Sequence, residues 1–85
     1  MISYNYVVSD RQGLHASNAM SLCRAASGYE SSITLRGEKR SADCKNVLAL
    51  MSLGARQGEN LELVVEGPDE DQAAGFLKGL MRTIL

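Results

Sequence analysis

Ile2, Tyr4, Tyr6 and Val8 alternate with Ser3, Asn5 and Ser9, interrupted only by Val7, so the chain opens on a half-buried strand. The run Asp10-Arg11-Gln12-Gly13 ends it with turn-forming residues. From Ala16 the period lengthens: Ala19, Leu22, Cys23 and Ala26 share one face of a helix, and Gly28 is predicted as its left-handed stop. Ser32–Arg36 and Lys39–Asp43 flank Gly37-Glu38, a pattern that predicts antiparallel strands joined by a two-residue primed turn. Val47, Leu48, Leu50, Met51 and Leu53 form a short helix closed by Gly54. They cover more of its circumference than one core face needs, so some are expected to be exposed. Leu61, Leu63 and Val65 alternate with Glu62 and Glu66, with Val64 out of phase, and Gly67-Pro68 ends that strand. Asp69 followed by Gln72 predicts a capping box, after which Ala73, Phe76, Leu77, Leu80 and Ile84 follow a helical stripe.

The order is βαββαβα. Three one-sided helices need a common apolar surface, and four strands supply it if the sheet is antiparallel and covered on one face. The expected fold is therefore α+β, an open-faced β-sandwich, with residues 1–85 forming a single domain without linker or low-complexity sequence.

Composition narrows the functions available. Nine Lys and Arg against ten Asp and Glu leave a net charge of -1, too weak a field to collect nucleic-acid phosphates or anionic lipids. No apolar run approaches the roughly 20 residues of a membrane span, and the first residues lack the regions of a signal peptide. A cytoplasmic protein without membrane insertion is expected. Cys23 and Cys44 are too far apart for a Cys-x-x-Cys motif and are read as free thiols, Cys23 as a small buried hydrophobe. A single histidine gives no cluster for a metal, and nothing calls for a cofactor.

That histidine, His15, falls between the glycine-containing turn and the first turn of the first helix. Amides at a helix start lack internal partners and carry the positive end of the peptide dipole, so an anion on His15 would meet donors already aimed at it. The same positive end favours neutral imidazole, whose lone pair is a nucleophile. The bland alternative is a solvated residue or a weak cap, and spacing alone does not decide between them. No catalytic triad and no phosphate-cradling G-x-x-x-x-G-K-[ST] loop is present, so a self-contained enzyme is not expected.

Gly13-Leu14-His15-Ala16 at the helix start, Leu50-Met51-Ser52-Leu53-Gly54-Ala55-Arg56-Gln57-Gly58, and Glu66-Gly67 followed by Asp69-Glu70 together resemble the histidine-containing phosphocarrier (HPr) family over essentially all 85 residues. The resemblance implies an open-faced β-sandwich and a monomer. It also implies that His15 Nδ1 takes a phosphoryl group from phosphorylated enzyme I and passes it to enzyme II A proteins of the sugar phosphotransferase system. The amides of Ala16 and Ser17 would hold the phosphoryl oxygens, and Met20, Val47, Leu48 and Met51 match positions that contact partners. Leu50 and Leu53 are expected in the core.

Two departures stand out. The family continues to Arg-Pro where this chain has Ser17-Asn18. A lost charge-assisted hydrogen bond is worth roughly 1.5–3 kcal/mol, which slows transfer about ten- to a hundredfold if it falls on the transition state. Ser17 or Asn18 would either donate to the phosphoryl group or cap the helix, and Arg56, matching a loop near the family's active centre, is a candidate substitute cation. Asn46 occupies the position of a regulatory serine in Gram-positive members, so no control by phosphorylation is expected there. The alternative function is a regulatory or binding module with weakened or lost phosphotransfer.

Overall fold

In the computed structural model, which describes residues 1–85, seven elements follow the expected order. They are β1 (Ile2–Val7), α1 (Ala16–Ser27), β2 (Ser32–Arg36), β3 (Ser41–Asp43), α2 (Val47–Leu53), β4 (Asn60–Glu66) and α3 (Glu70–Ile84). The sheet runs β1-β4-β2-β3 with every pair antiparallel. Leu63 in β4 stands opposite Tyr4 on one side and Leu35 on the other, which sets the register across the middle of the sheet.

Alternation then sorts the two faces. Ile33, Leu35, Leu61, Leu63 and Val65 are buried beneath Ala19, Leu22 and Ala26 of α1, Leu50 of α2, and Ala73, Leu77 and Met81 of α3. The opposite face stays open and polar, with Glu62 accepting from Ser3 Oγ at 2.8 Å and lying 3.4 Å from the Arg36 guanidinium. This is the α+β open-faced sandwich expected from the pattern.

Four local expectations are corrected. The hairpin loop spans residues 37–40 and not two: the ladder ends at Arg36 opposite Ser41, and Gly37 N–H donates to Arg40 O at 2.7 Å. Gly37 lacks the positive φ of a primed turn. Gly28 is right-handed at φ -78°, because α1 unwinds through tighter bonds from Gly28 and Tyr29 to Ala25 and Ala26, whereas Gly54 does take the left-handed stop at φ 63°.

Asp69 precedes α3 but makes no cap bond. Its carboxylate accepts from the amides of Glu30 and Ser31 and from the Ser31 hydroxyl, fastening the α1–β2 loop to the start of α3. The Ser31 hydroxyl first, then the Glu30 amide, hold the Asp69 carboxyl below the usual carboxylate range. Finally, Phe76 is 54% exposed near Tyr29, while Ala74 and Met81 complete the buried stripe. The thiols also separate: Cys23 is half-buried, and Cys44 is buried with its thiol pushed up to about 12, chiefly by desolvation, then by Asp43 and Cys23. Cys44 is therefore an inert core residue.

Candidate functional site

The β1–α1 loop is fastened to two distant parts of the chain. Val8 exchanges backbone bonds with the 58–59 turn, Ser9 and Asp10 N–H both donate to Leu85 O at 2.8 Å, and Leu14 N–H donates to Ala55 O at 2.9 Å. Gly13 lies at φ +68°, and a Cβ there would come within 2.2 Å of Ala55 O and 2.9 Å of Arg56 Cα. Only glycine permits that approach, which lets the 55–56 segment buttress the residues leading into His15.

His15 is the N-cap of α1, with extended backbone at φ -135° and ψ -177°. Its Nδ1 accepts from Ser17 N–H at 3.3 Å, while its own N–H donates to Asn18 Oδ1 at 2.7 Å. This reciprocal pair is a capping box in which an imidazole replaces the usual hydroxyl and an amide side chain replaces Glu or Gln. An accepting Nδ1 carries the lone pair, which assigns the proton of a neutral ring to Nε2. Nε2 in turn faces Asp10 Oδ2 at 3.9 Å. The imidazole thus presents its nucleophilic nitrogen toward the amides of the first turn. Ala16 and Ser17 are exposed, and the Ala16 amide has no partner within the protein, so donors for an anion are in place.

Of the two roles open to Asn18, phosphate donor or cap, its side chain takes the capping one and joins three segments of the chain. It is 4% exposed, and its Nδ2 donates to Gly13 O at 2.8 Å and to Ile84 O at 3.3 Å. The side chain is fully engaged by the loop, the helix start and the end of α3, leaving no group for an incoming anion. Ser17 points the other way in character, being exposed with a hydroxyl that makes no bond to the protein. Arg56 is exposed and its guanidinium forms no ion pair, while its backbone packs against Gly13. Asn46 caps α2, its Oδ1 accepting from Ala49 N–H at 3.1 Å.

Leu48, Met20 and Met51 are exposed at 71%, 47% and 43%, on two helices that pack against one another, with Val47 half-buried beside them. Leu50 is in the core and Leu53 packs against it. None of the surface hollows is lined by His15 or Ser17; they gather round residues 36–41 and the open sheet face. The histidine therefore lies on the open surface and not in one of these hollows. Asp10 escaped the sequence pattern, where it read only as a turn former, and so did the reach of the Asn18 side chain to Ile84.

A family model described as "PTS HPr component phosphorylation site" matches residues 2–83. The chain is 38% identical over 81 residues to the phosphocarrier protein HPr of Lysinibacillus sphaericus, covering 95% of this chain and 92% of the relative. Among solved structures it is similar to the histidine-containing phosphocarrier protein of Mycoplasma, with a TM-score of 0.94, 27% identity and 96% and 93% of the two chains covered. It is also similar to HPr-C-His from Thermoanaerobacter tengcongensis, with a TM-score of 0.90, 30% identity and 98% and 93% covered.

Proposed function

Because the chain belongs to the HPr family, we propose that His15 accepts a phosphoryl group on Nδ1 from phosphorylated enzyme I and passes it to enzyme II A proteins of a sugar phosphotransferase system. Residues 1–85 act as one monomeric domain in the cytoplasm; no helix is long and apolar enough to cross a membrane.

The observation that carries this reading is the bonding of the imidazole. Ser17 N–H on Nδ1 orients the lone pair toward the free donors of the first helical turn. When Nδ1 attacks phosphorus, the N–P bond forms as the donor's bond breaks, and the Ser17 amide turns from the ring to a phosphoryl oxygen beside the Ala16 amide. Apart from Asp10, no carboxylate lies within 4.0 Å of the ring, so the rest of the machinery is assigned to the partner enzymes. Arg56, unpaired and next to the loop, supplies a cation for the complex.

Incubation with phosphoenolpyruvate and enzyme I, followed by intact-mass measurement, tests the proposal. One acid-labile phosphoryl adduct is expected on the parent and none on His15→Ala. An unmodified parent would favour the second reading, a binding or regulatory module, whose support is the neutral, exposed Ser17 where the family carries a guanidinium.

Docking is assigned to Met20, Val47, Leu48 and Met51, whose flexible thioethers suit several partners in turn. Leu48→Asp puts a charge where apolar contact is needed, at a site too exposed to matter for folding. We expect phosphoryl uptake from enzyme I about five- to tenfold slower, with an unchanged circular dichroism spectrum. Equal rates would remove Leu48 from the interface.

A further inference from the structure

We propose that Asp10 is a positioning residue for His15: its carboxylate holds the ring in the Nε2–H tautomer and balances the positive charge the ring acquires when Nδ1 is phosphorylated. The second half of this proposal rests on the carrier reading; the first does not.

The carboxylate is itself held in place. Asp10 Oδ1 accepts from Gln12 N–H at 2.8 Å, the Asp10 amide donates to Leu85 O at 2.8 Å, and its carbonyl accepts from Gly13 N–H at 3.0 Å. One oxygen and both backbone groups are thereby fixed, which leaves Oδ2 facing Nε2 across 3.9 Å. That separation is too long for a direct hydrogen bond and acts as a charge–dipole contact. Each side chain is 33% exposed, so solvent screens the pair only in part.

Both edges of the ring favour one tautomer. With the proton on Nε2, the Ser17 amide meets a lone pair and the carboxylate meets an N–H. With the proton on Nδ1, the amide would meet another N–H and the carboxylate a lone pair, two repulsive contacts at once. On phosphorylation the Nδ1 lone pair becomes the new N–P bond and the electron pair of the broken bond returns to the phosphoryl donor. Nε2 keeps its proton, so the ring gains one formal positive charge, shared onto the edge that Asp10 faces. The family has an arginine next to the histidine where this chain has Ser17. Here Ser17 brings no charge, and the counter-charge lies on the ring's other edge instead.

The experiment uses the full chain with ¹⁵N-labelled histidine, comparing the parent with Asp10→Asn and Asp10→Glu. Asparagine keeps an oxygen for the Gln12 amide and removes only the charge. In mildly alkaline buffer the parent is expected to show ¹⁵N shifts of an unprotonated Nδ1 and a protonated Nε2. Asp10→Asn shifts both resonances toward tautomer exchange and takes up phosphoryl groups about two- to fivefold more slowly, with the urea midpoint retained, and Asp10→Glu restores the parental shifts in part. Identical ¹⁵N shifts in the parent and Asp10→Asn would overturn the proposal. A tautomer change in Asp10→Asn alongside a parent that enzyme I never phosphorylates would uphold the positioning role and sink the carrier reading.

Discussion

Asn18→Ala is expected to lower the stability of the chain by about 2–4 kcal/mol, while Ser17→Ala, one residue earlier, changes it by less than about 0.5 kcal/mol. The contrast follows from where the two side chains go. Asn18 accepts from His15 N–H and donates to Gly13 O and Ile84 O in a place that is 4% exposed. Alanine leaves a donor and two acceptors that water reaches poorly, and each such group costs more than an average hydrogen bond contributes. The loss also opens the capping box, because the His15 amide has no second acceptor. For a domain of this size a fall in Tm of roughly 10–20 °C accompanies the change. Urea unfolding followed by circular dichroism measures it. Asn18→Asp keeps the acceptor for His15 but sets a carboxylate against two carbonyls, so it fails to rescue. Asn18→Pro, the residue of the family, also fails, since the ring supplies none of the three bonds. Parental stability in Asn18→Ala would show that the loop is held without this hub.

The strands and helices were legible because each has a period and a burial pattern confined to its own segment. The alternation of Leu61, Leu63 and Val65, and the spacing of Ala19, Leu22 and Ala26, need no knowledge of the rest of the chain. Asp69 and Phe76 fail for the opposite reason. Asp69 reads as a helix cap until the amides of Glu30 and Ser31, far away in sequence, take its carboxylate. Phe76 fits a helical stripe as well as its neighbours do, and only the position of α3 on the sheet turns it outward in favour of Ala74 and Met81.

The site divides along the same line. A histidine at a helix start is visible as a pattern, and so is the glycine before it, although the reason for that glycine is the carbonyl of Ala55. Asn18 had two local roles open to it, phosphate donor or cap, and the distant Ile84 carbonyl helps decide for the cap. Asp10 does form the expected turn through Gln12, and that local role concealed the second oxygen directed at the imidazole. The departure from Arg-Pro accordingly divides in two: Asn18 builds the entry to the helix with its side-chain bonds, while Ser17 is exposed and uncharged where the family has arginine.

Ser17→Arg should therefore raise the rate of phosphoryl uptake by about ten- to a hundredfold, whereas Asn18→Pro in the same background adds nothing. Ser17 is exposed at the second position of α1 and its hydroxyl is free, so a longer side chain meets no obstruction within the protein. Arginine is a good helix former, and the cost of a cation near the positive end of the helix is about 0.3–1 kcal/mol. That cost falls on the unphosphorylated state and is removed when the phosphoryl group arrives, so it adds to the driving force for uptake. The gain needs the planar fork that matches phosphoryl oxygens; Ser17→Lys, with a compact charge, is expected to recover only part of it. Single-turnover uptake from phosphorylated enzyme I separates these variants. A rate no greater than the parent's would mean that the transition state already has its cation, and Arg56→Ala then identifies the source: if the Arg56 guanidinium fills the role, removing it slows the parent and leaves Ser17→Arg fast.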